Sequence, residues 1–154
     1  MTDASHTTPE IELLAFRLGD QEYCVDIMSV REIRGWTSAT TLPFSPAHVK
    51  GVINLRGTVL PVIDLAVRLG MPAIAGNERN VIIVVSVNKQ TAGLLVDAVS
   101  DILSIARQHL QPPPDLTADT ESNCISALTL VENRLIRVLQ LDAVLPSQPA
   151  DTAA

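Results

Sequence analysis

Residues 49–65 read VKGVINLRGTVLPVIDL, and this stretch decides the fold. It contains two apolar runs, Val52–Leu55 and Val59–Ile63, on either side of the short segment Arg56-Gly57-Thr58. Runs of β-branched and aliphatic residues that flank a glycine turn are typical of paired strands. Glycine also accepts the positive φ that a tight turn requires. The stretch therefore predicts a β-hairpin with Gly57 in its turn.

The polar residues of this hairpin suit recognition of another protein. Asn54 and Arg56 lie two residues apart, so we expect them to share one face of an extended strand. Arg56 lies beside the turn at Gly57, so we expect the turn to hold the Arg56 guanidinium on a fixed backbone. No residue beside them is a typical nucleophile. We therefore interpret the end of the hairpin as a candidate docking site.

Composition limits the classes of function. The chain has 154 residues, 47% of them hydrophobic but only 3% aromatic, which suits one domain or two small packed lobes with an aliphatic core. A net charge of −6 argues against nucleic acid and against an anionic membrane surface, because both need a basic footprint. No apolar run approaches the roughly 20 residues of a membrane span. We expect no direct membrane insertion.

The two ends of the chain differ in composition from its centre, which contains the apolar runs. Residues 1–10 are polar and have neither a basic start nor an apolar segment, so we expect a disordered lead, no signal peptide and a cytoplasmic location. Residues 11–146 are predicted to form a single domain, and residues 147–154 a disordered tail.

The cysteines and histidines do not predict a metal site or another cofactor. Cys24 and Cys124 are far apart and form no CxxC motif, so we interpret them as small buried hydrophobes in a reducing compartment, with a disulfide or a reactive thiol as the alternative. His6, His48 and His109 stand at unrelated spacings.

Short apolar runs predict eight to ten strands arranged as four hairpins. The predicted pairs are Ile11–Leu18 with Glu22–Ile27, Val52–Leu55 with Val59–Ile63, Val81–Val87 with Thr91–Val96, and Ile125–Val131 with Leu135–Leu141. Asp97–Leu103 is interpreted as a bent extension of the strand that ends at Val96. Many of these strands lack strict alternation, which is expected where both faces are covered, as when two small barrels pack together. The fold class predicted is all-β.

Four short helical turns are predicted between the strands. They begin after Asp26, at Pro46, after Asp64 and after Asp142, with the aspartates as caps. The charged residues Arg31–Ile33 are interpreted as the continuation of the first turn, up to Gly35. Pro112–Pro114 is expected to form a stiff extended spacer.

The acidic residues could be interpreted as catalytic carboxylates, and we reject this interpretation. Asp64, Asp97 and Asp101 each sit at the edge of a predicted element, where caps and turns use carboxylates. The sequence contains no GxSxG, GxGxxG or P-loop motif. It therefore predicts a β-rich binding module without catalysis or nucleotide binding.

The sequence leaves the roles of two features undecided, the charged pair Glu32 and Arg34 and the residue Trp36. Glu32 and Arg34 flank Ile33 and suit either a solvated edge or the charged rim of an interface. Trp36, the single tryptophan, suits a core or lid residue as well as an interface anchor.

Several blocks of the chain resemble the family of CheW, the chemotaxis coupling protein. The hairpin Asn54-Leu55-Arg56-Gly57 followed by Val59–Leu65 resembles the signature of this family. The other similar blocks are Phe16–Gly19 with Tyr23–Ile27, Val30–Ile33, Thr41–Pro43 with Pro46 and Val49–Gly51, and Gly93–Leu103. The resemblance extends over about residues 13–145, and the order and spacing of the blocks make it specific.

The resemblance implies two packed SH3-like five-stranded β-barrels with short helices. It implies a non-enzymatic adaptor, monomeric on its own, that links the histidine kinase CheA, through its regulatory domain, to the cytoplasmic tip of chemoreceptors in arrays at the inner membrane. Family positions that meet the receptor correspond to Val30, Glu32, Gly51, Arg56, Val81, Ile82 and Ile102, to which we add Asn54 and Gly57 of the hairpin. The kinase-binding surface is expected on the barrel ends, without assigned residues.

Two departures from the family pattern and two rival functions remain. Ser126 stands where the family usually has glycine, and Trp36 where it often has a polar or smaller residue. One rival is a scaffold of the same family in a chemosensory pathway other than chemotaxis. The other is a barrel that binds oligonucleotides or oligosaccharides, which the acidic charge and the few aromatic residues disfavour.

Overall fold

Ten β-strands and four short helical segments make up the part of the chain that the computed structural model describes, residues 10–74, 76, 78–112 and 124–145. The strands are β1 (Glu10–Leu18), β2 (Gln21–Asp26), β3 (Val30–Gly35), β4 (Val49–Leu55), β5 (Thr58–Asp64), β6 (Val81–Val87), β7 (Gln90–Val96), β8 (Ala98–Ala106), β9 (Ile125–Val131) and β10 (Arg134–Leu139). The helices are α1 (Leu65–Arg68) and α2 (Leu141–Val144), with 3₁₀ turns at Ile27–Ser29 and Arg107–His109.

The strands form two five-stranded sheets that define two lobes. Lobe 1 has the order β8-β1-β2-β10-β9, and lobe 2 has the order β3-β6-β7-β5-β4. In lobe 2, Thr40 exchanges two backbone hydrogen bonds of 2.9 Å with Val52, which joins the segment after β3 to the opposite edge strand. Gln111 and Leu128 do the same in lobe 1. Each sheet therefore curls towards a small barrel, and the predicted SH3-like, mainly β fold is confirmed.

The two lobes share one topology. Each has one parallel pair, β2 with β10 in lobe 1 and β7 with β5 in lobe 2. The hairpins β1–β2 and β6–β7 occupy the same place in their sheets, and both lead into a Val-Asp pair, Val25-Asp26 and Val96-Asp97. After each pair the chain enters the other lobe, as β3 and as β8.

This crossing corrects two predictions about edge strands. Residues 98–106 do not extend β7 but form β8, which pairs with β1 in the other lobe. Arg31–Ile33 are not the end of a helical turn but the middle of β3, which pairs with β6. β3 is short and carries three charged side chains, and β8 follows β7 after a single residue. In both segments the pairing with a distant strand could not be recognised from the local sequence.

The core explains why several strands lack alternation. Along β1, Leu13 and Ala15 belong to a cluster inside lobe 1, whereas Leu14 and Phe16 belong to a larger cluster that extends into lobe 2. Both faces of β1 are therefore covered, as the sequence predicted. Phe16 stacks on Tyr23 of β2 with ring centroids 6.2 Å apart, within the larger cluster.

The predicted hairpin turns are confirmed. In the central hairpin, Arg56 and Gly57 have φ of 51° and 87°, the pattern of a two-residue turn that matches the twist of the strands. Asn88-Lys89 and Glu132-Asn133 have the same pattern in the β6–β7 and β9–β10 hairpins.

The helical predictions had a mixed outcome. Asp26 accepts a hydrogen bond from Met28 N, and Asp64 caps α1 through Val67 N. No helix forms at Pro46, because the chain makes one turn there and enters β4 at Val49. The cap of α2 is Gln140, without a side-chain bond, rather than Asp142.

α1 and α2 follow equivalent strands, β5 and β10, and one arginine joins them. The guanidinium of Arg68, the last residue of α1, donates to the carbonyl oxygens of Ala143 and Val144 in α2. The last carbonyls of a helix lack partners within it, so this contact satisfies two of them and ties lobe 2 to lobe 1.

Most of the predicted lead, the predicted tail and most of the Pro112–Pro114 spacer lie outside the described residues. The exceptions are Glu10, which begins β1, and Pro112.

Both cysteines are free and buried, in agreement with their interpretation as small hydrophobes. Cys124 belongs to the larger cluster and Cys24 to the cluster inside lobe 1. Burial, with a smaller contribution from the Glu22 carboxylate, raises the pKa of Cys24 to about 12. A thiol with this pKa is protonated at neutral pH and therefore a poor nucleophile.

Truncation of β6 should destabilise the protein. Ile82, Ile83, Val84 and Val85 are all at most 1% exposed, because this strand is covered on both faces. We expect Ile83→Ala and Val85→Ala each to cost about 2–4 kcal/mol through lost burial and a residual cavity. Thermal denaturation followed by circular dichroism measures the effect, and unchanged melting temperatures in both variants would contradict the burial of this strand.

Candidate protein-docking surface

The predicted site residues divide between an accessible rim and the interior. Glu32 on β3 and Arg56 in the β4–β5 turn line an open cavity of about 430 Å³, with Arg31, Thr58 and Thr91 among its other walls. Its apolar walls include Leu55, Leu60 and Val84. The fold thus brings the hairpin turn next to β3, two segments that are separated by more than twenty residues in the sequence.

An ion pair spans this cavity. Arg56 Nη2 lies 3.0 Å from Glu32 Oε1, and Arg34 Nη1 lies 3.6 Å from Glu32 Oε2. The Arg56 side chain is 71% exposed, whereas that of Glu32 is 24% exposed. Because one carboxylate faces two guanidinium groups, the cluster keeps a net positive charge on the surface of an acidic protein. It can therefore attract a carboxylate or carbonyl group of a partner.

Asn54 has a different position from the one predicted. Arg56 is in the turn with φ of 51°, beyond the end of β4, so the two residues do not share a strand face. Instead, Asn54 Oδ1 accepts a hydrogen bond of 2.8 Å from Gly57 N. Asn54 therefore fixes the turn that carries Arg56 and acts on the site through it.

Gly51 is buried and allows a close approach of two backbones. It has a φ of 154°, and a Cβ built on it would lie 2.3 Å from the carbonyl oxygen of Thr40. That carbonyl accepts the hydrogen bond from Val52 N that joins the edges of lobe 2. The structure thus gives Gly51 a structural role in closing the barrel.

The apolar members of the predicted set differ in accessibility. Ile82 is fully buried, so it supports the site from the core. Val30 and Val81 are half-buried, and they lie at opposite ends of the β3–β6 pair. Ile102 is 56% exposed, but it belongs to β8 in lobe 1. The structure therefore does not gather all nine residues into one patch around Arg56.

Trp36 and Ser126 are explained by local packing. Trp36 is half-buried, packs against the larger cluster and borders a cavity of about 140 Å³ with Val62 and Ile82 on its walls. This favours the interpretation of Trp36 as a core residue over that of an interface anchor. Ser126 Oγ donates to the carbonyl of Val138 at 3.3 Å, so β9 accommodates this residue within the last hairpin.

Asp64 and Asp97 lie at the edges of elements and serve the fold, as predicted, whereas Asp101 lies within β8 rather than at an edge. Asp64 is 2% exposed and accepts hydrogen bonds from Val67 N at 3.3 Å and Ile74 N at 2.9 Å. Asp97 accepts a hydrogen bond of 2.6 Å from Gly19 N, which holds the β1–β2 turn. Within residues 10–74, 76, 78–112 and 124–145 no three His, Cys, Asp or Glu side chains are grouped so that they could hold a metal ion.

The sequence reasoning missed the partner of Arg56 and one exposed aromatic residue. The sequence left Glu32 open between a solvated edge and the charged rim of an interface, and its pairing with Arg56 follows only from the packing of β3 beside the hairpin. Phe44 was given no role, although its place between two prolines indicates a restricted backbone.

Among the described helices, none is long and apolar enough to span a membrane.

Comparison with known proteins gives consistent similarities over nearly the whole chain. The family model for the CheW-like domain matches residues 12–148. The chain is 53% identical over 142 residues to the chemotaxis protein CheW of Rhizobium meliloti, with 92% of each chain covered. It is 34% identical over 137 residues to the chemotaxis protein CheW of Klebsiella aerogenes, covering 89% of this chain and 82% of the relative.

A solved structure shows the same fold. The crystal structure of the scaffolding protein TtCheW from Thermoanaerobacter tengcongensis matches with a TM-score of 0.83 at 30% sequence identity. The match covers 91% of this chain and 95% of that chain. The likeness therefore includes both lobes and the way they are joined.

Proposed function

Because this chain belongs to the CheW-like domain family, it is a chemotaxis coupling adaptor, and we propose that it links the cytoplasmic tips of chemoreceptors to the histidine kinase CheA. The kinase would bind through its regulatory domain, and the protein would work in the cytoplasm, recruited to receptor arrays at the inner membrane. The proposed role is purely that of a scaffold, without catalysis and without a cofactor.

The observation that carries the receptor assignment is the ion pair between Glu32 and Arg56. Arg56 is mostly exposed, its backbone is fixed by a hairpin turn, and Asn54 holds that turn. A planar guanidinium held in this way presents donors in a set geometry, which suits recognition of a carbonyl or carboxylate on a receptor tip. Val30 and Gly57 lie on the same two elements and complete the proposed contact. We also propose as receptor-binding residues Gly51, Val81, Ile82 and Ile102. Substitution of each residue, followed by a measurement of receptor binding, tests its membership.

Removal of Arg56 should separate receptor binding from kinase binding. We expect Arg56→Ala to weaken receptor binding by about 1–3 kcal/mol, because it removes the exposed half of the charged cluster at the proposed centre of contact. The melting temperature should hold, since an exposed ion pair contributes little to stability. Binding of a receptor cytoplasmic fragment and of the kinase regulatory domain, each measured by calorimetry, tests this expectation.

The matched control is Lys89→Ala. Lys89 is an exposed cation in the β6–β7 turn with a φ of 68°, so this variant loses the same charge from the same type of turn. It should bind both partners normally. Equal loss of receptor and kinase binding in Arg56→Ala, or unfolding of the variant, would show that Arg56 is a structural residue. Failure of the wild-type protein to bind either partner would refute the proposed coupling itself.

A further inference from the structure

Phe44 is the most exposed large apolar side chain in the described part of the protein. Its relative exposure is 103%, so its ring makes almost no contact within the chain. Leu42, two residues earlier, is 45% exposed. Burial of an exposed aromatic ring and an exposed leucine by a partner would be favourable. The pair is therefore a candidate anchor for binding.

The backbone of Phe44 is strained without a reason in the fold. It has a φ of 61°, a conformation that is unfavourable for residues with a bulky side chain. The other non-glycine residues with positive φ among the described residues all lie in two-residue hairpin turns, where the strand twist requires it. Phe44 lies in the connection between β3 and β4, which joins no hairpin.

The connection holds Phe44 in one place. Pro43 and Pro46 restrict the backbone on both sides, and Ser45 Oγ donates a hydrogen bond of 3.0 Å to the carbonyl of Leu42. Upstream, the two hydrogen bonds of Thr40 to Val52 anchor the connection to β4. A side chain presented on a rigid turn loses little conformational freedom on binding, which is the condition for a strong anchor residue.

This turn lies away from the Arg56 turn. The connection enters β4 at Val49, whereas Arg56 follows the other end of that strand at Leu55. Six residue steps of about 3.3 Å separate the ends of β4 by about 20 Å. A partner seated on Phe44 and a partner seated on Arg56 would therefore approach lobe 2 from the two ends of β4, which suits the coupling of two proteins.

The chemistry of the turn points to a protein with an apolar pocket. Residues 40–47, TTLPFSPA, contain no charged side chain, and the whole chain carries a net charge of −6. A membrane-seeking or nucleic-acid-binding loop would need basic residues beside the aromatic ring. Aromatic side chains held at the centre of an apolar contact are typical hot spots of protein interfaces.

We propose that Phe44, with Leu42, is the anchor by which this protein binds an apolar pocket on the regulatory domain of its kinase partner. This inference rests on the proposed coupling function and supplies the kinase-facing residues that the sequence left unassigned. The strain at Phe44 is retained because the ring must point outward to reach the partner. Function and stability therefore oppose each other at this position.

The test is Phe44→Asn, because asparagine accepts a positive φ and removes the ring. We expect kinase binding to fall at least tenfold by calorimetry, receptor binding to stay within twofold, and the melting temperature to equal or exceed that of the wild type. A merely structural residue would lose stability instead. Phe44→Leu, which keeps an apolar side chain and the strain, should retain part of the kinase affinity.

Leu130→Thr is the matched control, since Leu130 is an exposed leucine on β9 in lobe 1 and threonine suits a strand. It should bind the kinase normally. Unchanged kinase binding in Phe44→Asn, with a wild type that binds, would overturn this inference and leave the coupling function intact. Self-association of the wild type that Phe44→Asn abolishes, seen by sedimentation without any effect on kinase binding, would assign the turn to a second copy and also overturn it.

Discussion

The Gly51→Ala substitution should remove most of the stability of the protein, because the new methyl group has no space. A Cβ at this position would lie 2.3 Å from the oxygen and 2.7 Å from the carbon of the Thr40 carbonyl, and both atoms belong to the backbone. Relief would require breaking the two hydrogen bonds between Thr40 and Val52 that join the edges of lobe 2. We expect a cost of about 3–5 kcal/mol from the clash and from the strained φ of 154° together. Urea denaturation measures it directly.

Gly57→Ala is the matched control for this prediction. Gly57 also has a positive φ, 87°, but a Cβ there would meet no heavy atom within 4 Å. It should therefore lose only the strain contribution, of the order of 1 kcal/mol. If the two variants were equally stable, the close approach at Gly51 would not be the source of the cost. If Gly51→Ala folded normally and lost only receptor binding, Gly51 would be a contact residue rather than a structural one.

Asp64→Ala should have the next largest effect, because Asp64 links three parts of lobe 2. Its buried carboxylate caps α1 through Val67 N, accepts from Ile74 N and lies 4.0 Å from Lys50 Nζ. Removal leaves the backbone N–H groups of Val67 and Ile74 without this acceptor, and it removes the ion-pair partner of Lys50, which keeps its hydrogen bond to the Ile74 carbonyl. We expect about 3–5 kcal/mol of destabilisation, again by urea denaturation.

Asp26→Ala provides the comparison for Asp64. Asp26 also follows a strand and accepts from a backbone N–H, that of Met28, but its hydrogen bond is exposed. Loss of such a cap costs about 0.5–2 kcal/mol. A similar cost in both variants would mean that the Ile74 and Lys50 contacts contribute little. Receptor and kinase binding should survive in Asp26→Ala, since this cap lies in neither proposed contact.

The two proposed contacts would explain how one small chain couples two proteins. Arg56 would supply a charged contact beyond one end of β4, and Phe44 would supply an apolar contact in the connection that enters the other end. Both residues are carried by turns of lobe 2, so the strand between them would set the spacing of the partners. Substitutions that unfold lobe 2, such as Gly51→Ala, should therefore abolish both interactions together.

Local signals in the sequence were sufficient for the hairpins and for two helix caps. The glycine turn at Gly57, the β-branched run of β6 and the placement of Asp64 before an apolar segment each depend on neighbours within a few residues. The family resemblance added the SH3-like fold and the adaptor function, which composition and periodicity could not provide.

The tertiary structure alone decided which strands pair outside the hairpins. The chain crosses between the lobes after β2 and after β7, and this crossing pairs β3 with β6 and β8 with β1. The same crossing placed Glu32 beside Arg56, and barrel closure placed Thr40 against Gly51. These contacts join residues that are far apart in the sequence, so no local pattern encodes them. The exposure of Phe44 also depends on the tertiary structure, because it follows only from the positions of all the other elements.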